Sequence, residues 1–100
     1  MKLIEITDST RSDKKLMAIF EVNGYSKITH FGAAGYMDYT LYYKEDPKLA
    51  EIKKAAYIAR HSVRENFEDP ISAGSLSYWI LWNKPTIEES IIDYKNHFQI

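Results

Sequence analysis

Lys53, Arg60, His61 and Arg64 are the residues of this chain whose types and spacing could do chemistry most directly. Lys53 and Arg60 stand about two helical turns apart, Arg60 and Arg64 about one, so a helix carries them on one side together with Tyr57. Such a stripe grips anions. A guanidinium fork fits phosphate and carboxylate equally well, so residue type alone leaves the partner open. Turned outward, the stripe offers phosphate contacts to nucleic acid, with Lys27 as an outlying addition. Turned inward, Arg60 and Arg64 pair with carboxylates such as Asp38 or Asp69 and act as clamps within the fold. The charge balance favours clamps. Thirteen Lys and Arg against fourteen Asp and Glu leave a net charge of −1, little excess for a polyanion.

Other chemistry finds less support. Gly32 and Gly35, in Phe31-Gly32-Ala33-Ala34-Gly35-Tyr36, could gather backbone N–H groups into an anion nest. No P-loop lysine or dinucleotide fingerprint accompanies them, and a tight turn in which at least one has positive φ explains both. His30, His61 and His97 lie far apart without metal-ligand spacing, and there is no cysteine, so no metal is expected and disulfides are excluded. Asp38 and Asp46 read as turn and cap residues. No nucleophile elbow is present, and no cofactor is expected. A remote enzymatic reading would centre on His30 and the Gly32–Tyr36 loop. Trp79 and Trp82, beside Tyr78, suit a core better than an exposed stacking platform.

The elements that must position these residues read as an α+β fold. Residues 2–7 form a first strand, Lys15–Val22 a second and Tyr25–Phe31 a third. The second is apolar on both faces, as a central strand should be, and Asn23-Gly24 is a strong hairpin signal. The result is a three-stranded antiparallel meander, with Asp38–Tyr43 as a short fourth strand or extended crossing. Three helices follow, packed on the sheet. The first runs from an Asp46 cap and Pro47 to Phe67, and Leu49, Ile52, Ala56, Ala59, Val63 and Phe67 form its packing stripe. The second starts near Ser72 and carries Leu76 through Trp82. The last opens on a Thr86-Ile87-Glu88-Glu89 capping box, with Ile87, Ile91, Tyr94 and Phe98 facing the core. Met17 and Ile19 sit on the opposite sheet face, where a partner could cover them.

One hundred residues suit one domain spanning 1–100. The 45% hydrophobic content supplies a core, which excludes a disordered tail. No signal-type apolar run or membrane-length segment occurs, so a chain that is not secreted, and has no membrane span, is expected.

Several separated motifs also resemble a known family. They are His30-Phe31-Gly32-Ala33-Ala34-Gly35-Tyr36 with Asp38-Tyr39-Thr40, Tyr57-Ile58-Ala59-Arg60-His61 with Arg64-Glu65-Asn66-Phe67, and Asp69-Pro70 with Ala73-Gly74 and Leu81-Trp82-Asn83-Lys84-Pro85. In this order, over about residues 25 to 98, they resemble small uncharacterised proteins encoded by nucleocytoplasmic large DNA viruses of algae and protists. The resemblance implies a viral protein of the virion or the infected host cell interior, and supplies no catalytic or cofactor-binding residue. Relatives tend to be more basic and often carry tryptophan at the position of Phe67 and arginine at that of Tyr78. These departures count against general DNA binding. The leading expectation is therefore a non-enzymatic structural or interaction protein, a minor virion component with a protein partner from virion or host. The alternative is a nucleic-acid-binding module using the basic helix face.

Overall fold

The computed structural model describes all residues 1–100. Strands β1 (Lys2–Asp8), β2 (Lys14–Val22) and β3 (Tyr25–Ala33) form one antiparallel sheet in the order β1-β2-β3. The meander and its central strand are as the sequence predicts. Asn23 and Gly24 make the β2–β3 turn with φ of 52° and 83°, the paired positive values a two-residue hairpin requires. Alternation then sorts the side chains. Leu3, Ala18, Phe20 and Phe31 point to one buried face, whereas Met17 and Ile19 take no part in the core. Ile19 is in register with Ile28, which is half exposed, so the outer sheet face is left open.

The helical half has four helices: α1 (Tyr39–Glu45), α2 (Pro47–His61), α3 (Ala73–Leu76) and α4 (Ile87–Phe98). Between α3 and α4, Ser77–Leu81 continues α3 as a π-helical turn. Leu76, Ile80, Leu81 and Tyr94 bring this part of the chain onto the buried sheet face. Each fully buried side chain of this size contributes roughly 1.5–3 kcal/mol. Tyr94 also satisfies its one polar atom: its hydroxyl donates to the Pro70 carbonyl at 2.5 Å. The predicted stripe of the last helix is correct, since Tyr94 lies in the core and Ile87, Ile91 and Phe98 pack against it. Thr86 caps α4 by accepting from the Glu89 N–H, and its hydroxyl donates to the Glu89 carboxylate, so the box closes side chain to side chain.

Three expectations are corrected. Asp38–Tyr43 is no strand. The Asp38 carboxylate accepts the Leu41 N–H and caps α1, and this local bond outweighs the β propensity of the tyrosines. The helix from Asp46 stops at His61 and not at Phe67. Beyond it the Arg64 and Glu65 N–H groups both fold back on the His61 carbonyl. Phe67 is held elsewhere: its ring stacks on Tyr78 at 4.2 Å, and its carbonyl accepts from Trp79 Nε1 and Ser75 Oγ. Six more helical residues would carry it about 9 Å further along the axis, away from those partners.

The third correction concerns which face of α2 packs, and on what. Ile52 is 66% exposed and Val63 79%, while Ala50 and Tyr57 are buried. The intended packing stripe thus faces out, and Tyr57 of the basic stripe faces in. The chief neighbour of α2 is α1, not the sheet. The sheet's buried face is already covered by the Leu76–Leu81 segment and α4. What remains for α2 is the aromatic surface of Tyr42 and Trp82, and a tyrosine packs there better than alanines.

Candidate functional site

Turning Tyr57 inward brings the residues beside it to the margin of a cleft of about 560 Å³. One wall is the start of β2 and the end of β3, with Lys14, Lys15 and Gly32. The loop bearing Tyr36 and Asp38 crosses one end. The second wall is α2, which presents Lys53, Tyr57, Arg60 and His61, and the Gly74–Trp82 stretch completes the lining.

Three of the four predicted site residues, Lys53, Arg60 and His61, therefore converge. Arg64 does not. The helix has ended before it, and it lies exposed outside the cleft. The clamp expectation is also corrected. The lysine and arginine ion pairs of the chain are Arg11–Asp13 and Lys15–Asp38, His97 Nε2 lies 2.6 Å from Glu68, and neither Arg60 nor Arg64 joins a carboxylate. Asp38 is already engaged by Lys15 Nζ at 2.7 Å, and Asp69 accepts the Ile71 N–H. Gly32 and Gly35 both have positive φ, 78° and 86°, as the turn reading requires of at least one.

The cleft is electropositive within a slightly acidic protein. Four lysine and arginine side chains line it against the carboxylates of Asp38 and Glu65. Asp38 is neutralised locally, and Glu65 lies against Gly74, where a Cβ would collide with its carboxylate. Lys14, Lys53 and Arg60 keep no carboxylate partner. Sequence reasoning missed Lys14 and Lys15. The signal was the hairpin register, which sets Lys14 opposite Ala33 and so puts the start of β2 beside Gly32.

Aromatic rings form the back of the same site. Tyr57 stacks on Trp82 at 4.4 Å with the planes 6° apart, and His61 stacks on the other face of Tyr57 at 4.2 Å. Tyr42 leans on Trp82, and Lys53 sits over the Tyr42 ring. Burial pushes the Tyr57 phenol up to about 12; the nearby Glu65 adds to this and Arg60 opposes it. Tyr57 therefore stays neutral at physiological pH. Trp79 and Trp82 are both partly buried and pack against the core, and Trp79 Nε1 donates to the Phe67 carbonyl.

No three acidic or histidine side chains converge as a metal site would need. His30 faces away from the cleft residues, its Nδ1 2.7 Å from Ser9 Oγ, and no carboxylate hydrogen-bonds its ring. No helix is long and apolar enough to cross a membrane.

Residues 4–61 match the model of a family of unknown function (DUF5754). That stretch is more than half of the chain, and the chain belongs to this family. It holds the sheet apart from the first two residues of β1, together with α1 and α2, and with them every lysine and arginine of the cleft; the Gly74–Trp82 wall lies beyond it. No curated protein and no solved structure matches the chain.

Proposed function

We propose that this family member is a non-enzymatic interaction module that holds an anionic partner in the cleft between β2, β3 and α2. One observation carries the reading: Lys14, Lys53 and Arg60 line one concave surface and none is spent on a carboxylate of the fold. Uncompensated cations gathered along one concave surface reinforce one another's field and attract anions more strongly than scattered cations do. The resemblance to proteins of large DNA viruses supports reading the module as a minor structural component of the virion or the infected cell.

Among anionic partners nucleic acid gains most from such a cleft, because phosphates recur along it and each contact releases counterions. Fluorescence titration with duplex and single-stranded DNA and RNA, repeated over a range of salt concentrations, tests this. Affinity should fall steeply as salt rises. Arg60→Ala or Lys53→Ala should weaken binding by roughly threefold to tenfold with an unchanged Tm. Arg64→Ala, outside the cleft, should leave it within error. Absence of binding at low salt, or an Arg64 effect as large as that of Arg60, would defeat the proposal.

A further inference from the structure

The cations are only half of the site, and the rings beside them narrow the ligand. Trp82, Tyr57 and His61 stack in sequence, with each centroid step near the thickness of an aromatic ring. Trp82 has further cover from Tyr42. At the opposite end His61 has no second aromatic neighbour, and its ring is half-buried at the cleft. The aromatic ladder therefore ends at His61, on the lining of the cleft. Arg60, adjacent in sequence, lines the same cleft, and Tyr36, 72% exposed and without a ring partner, stands at its margin. A ligand that satisfies both features carries a phosphate and a flat ring a few ångströms apart. The cleft volume is in the range that small-molecule sites occupy.

We infer that the cleft takes a nucleotide whose base extends the Trp82–Tyr57–His61 ladder while its phosphate lies among Arg60, Lys53 and Lys14. This rests on the anion-binding reading above and adds the ring to it. The nucleotide comes either free in solution or as one unit of a single strand. Duplex does not offer it, because each base there is already stacked and would have to be extruded first.

The test uses tryptophan fluorescence of the full chain titrated with AMP, adenosine and ribose 5-phosphate, followed by competition with single-stranded and duplex oligonucleotides. AMP should bind roughly tenfold or more tightly than either fragment, the scale of one base–aromatic stack. His61→Ala should erase that advantage and leave ribose 5-phosphate binding unchanged. His61→Phe, which keeps a flat face, should restore it, and Arg60→Ala should weaken AMP and ribose 5-phosphate together. Displacement of AMP by single-stranded oligonucleotide at lower concentration than free AMP assigns the site to a strand; failure to displace assigns it to a free nucleotide. Equal affinity for AMP and ribose 5-phosphate, or His61→Phe behaving as His61→Ala, overturns the inference. If AMP and ribose 5-phosphate bind equally and lose affinity in Arg60→Ala, the anion cleft stands and the nucleotide falls. If none of the phosphates binds at low salt, both fall.

Discussion

Asp38→Ala should destabilise the protein by about 3–4 kcal/mol, a large share of the roughly 5–15 kcal/mol that holds a domain of this size. Asp38 is 3% exposed and does three things. It accepts the Leu41 N–H and so starts α1, accepts the Thr40 hydroxyl, and pairs with Lys15 Nζ at 2.7 Å. Loss of the cap alone costs about 1 kcal/mol. Loss of the carboxylate also strands the Lys15 ammonium, whose side chain is only 18% exposed. Asp38→Asn keeps an acceptor for the cap but removes the charge opposite Lys15, so it should recover only the cap's share of about 1 kcal/mol. Denaturant unfolding of both variants, with Lys15→Met alone and combined with Asp38→Asn, gives the coupling energy directly. Coupling near zero would mean that the pair contributes nothing. The change should also act on the cleft. Asp38→Asn leaves Lys15 unneutralised there, and phosphate affinity should rise while stability falls.

Gly32→Ala should cost about 2–4 kcal/mol, or on the order of 10–20 °C in Tm. Two penalties act together. Gly32 has φ of +78°, where a Cβ costs about 1 kcal/mol or more. That Cβ would also lie 2.6 Å from Leu81 Cδ1, inside the core, and 3.4 Å from the Lys15 Cβ. Gly35 separates the two penalties. Its φ is +86°, but a Cβ there meets nothing within 4 Å, so Gly35→Ala should cost only the backbone term of about 1 kcal/mol. Thermal unfolding of the two variants side by side is decisive. Equal losses would show that the approach of Leu81 to Gly32 is not a constraint.

Much of the architecture was legible because its signals are local. Strand alternation, the Asn23-Gly24 turn, the Asp46 and Thr86 caps and the stripe of α4 each depend on a few neighbouring residues. The errors came where distant residues decide. Spacing finds two faces on the helix after Asp46, but it does not say that Tyr57 has a tryptophan to stack on while Ile52 has nothing to cover it. The same contact took α2 away from the sheet. Phe67 likewise leaves its helix for Tyr78 and Trp79, partners that lie later in the chain. At the site, Lys53, Arg60 and His61 were legible as a group, since they share a helix face. The choice between clamp and free cation was not, because it turned on Asp38 being taken by Lys15. Lys15 came from a strand whose register fixes its place, and net charge averages over the segregation that results.

The helical hairpin of α1 and α2 touches the rest of the molecule at few points. The Lys15–Asp38 pair, the Lys54 Nζ bond to the Asn83 carbonyl at 2.7 Å, and the packing of Tyr42 and Tyr57 on Trp82 are the main ones. The molecule measures 43 × 27 × 24 Å. A lobe so joined should open as a unit at a lower free energy than the sheet core unfolds, with the connections at 34–37 and 62–66 as its hinges. The cleft is the gap between lobe and core, so its width is the opening coordinate itself. An anion touching both Lys14 and Arg60 would bind the closed form and draw the lobe shut. Protease cutting at the two hinges should therefore slow when such a ligand is added, and slow less in Arg60→Ala. Cutting that ignores the ligand would mean a rigid lobe.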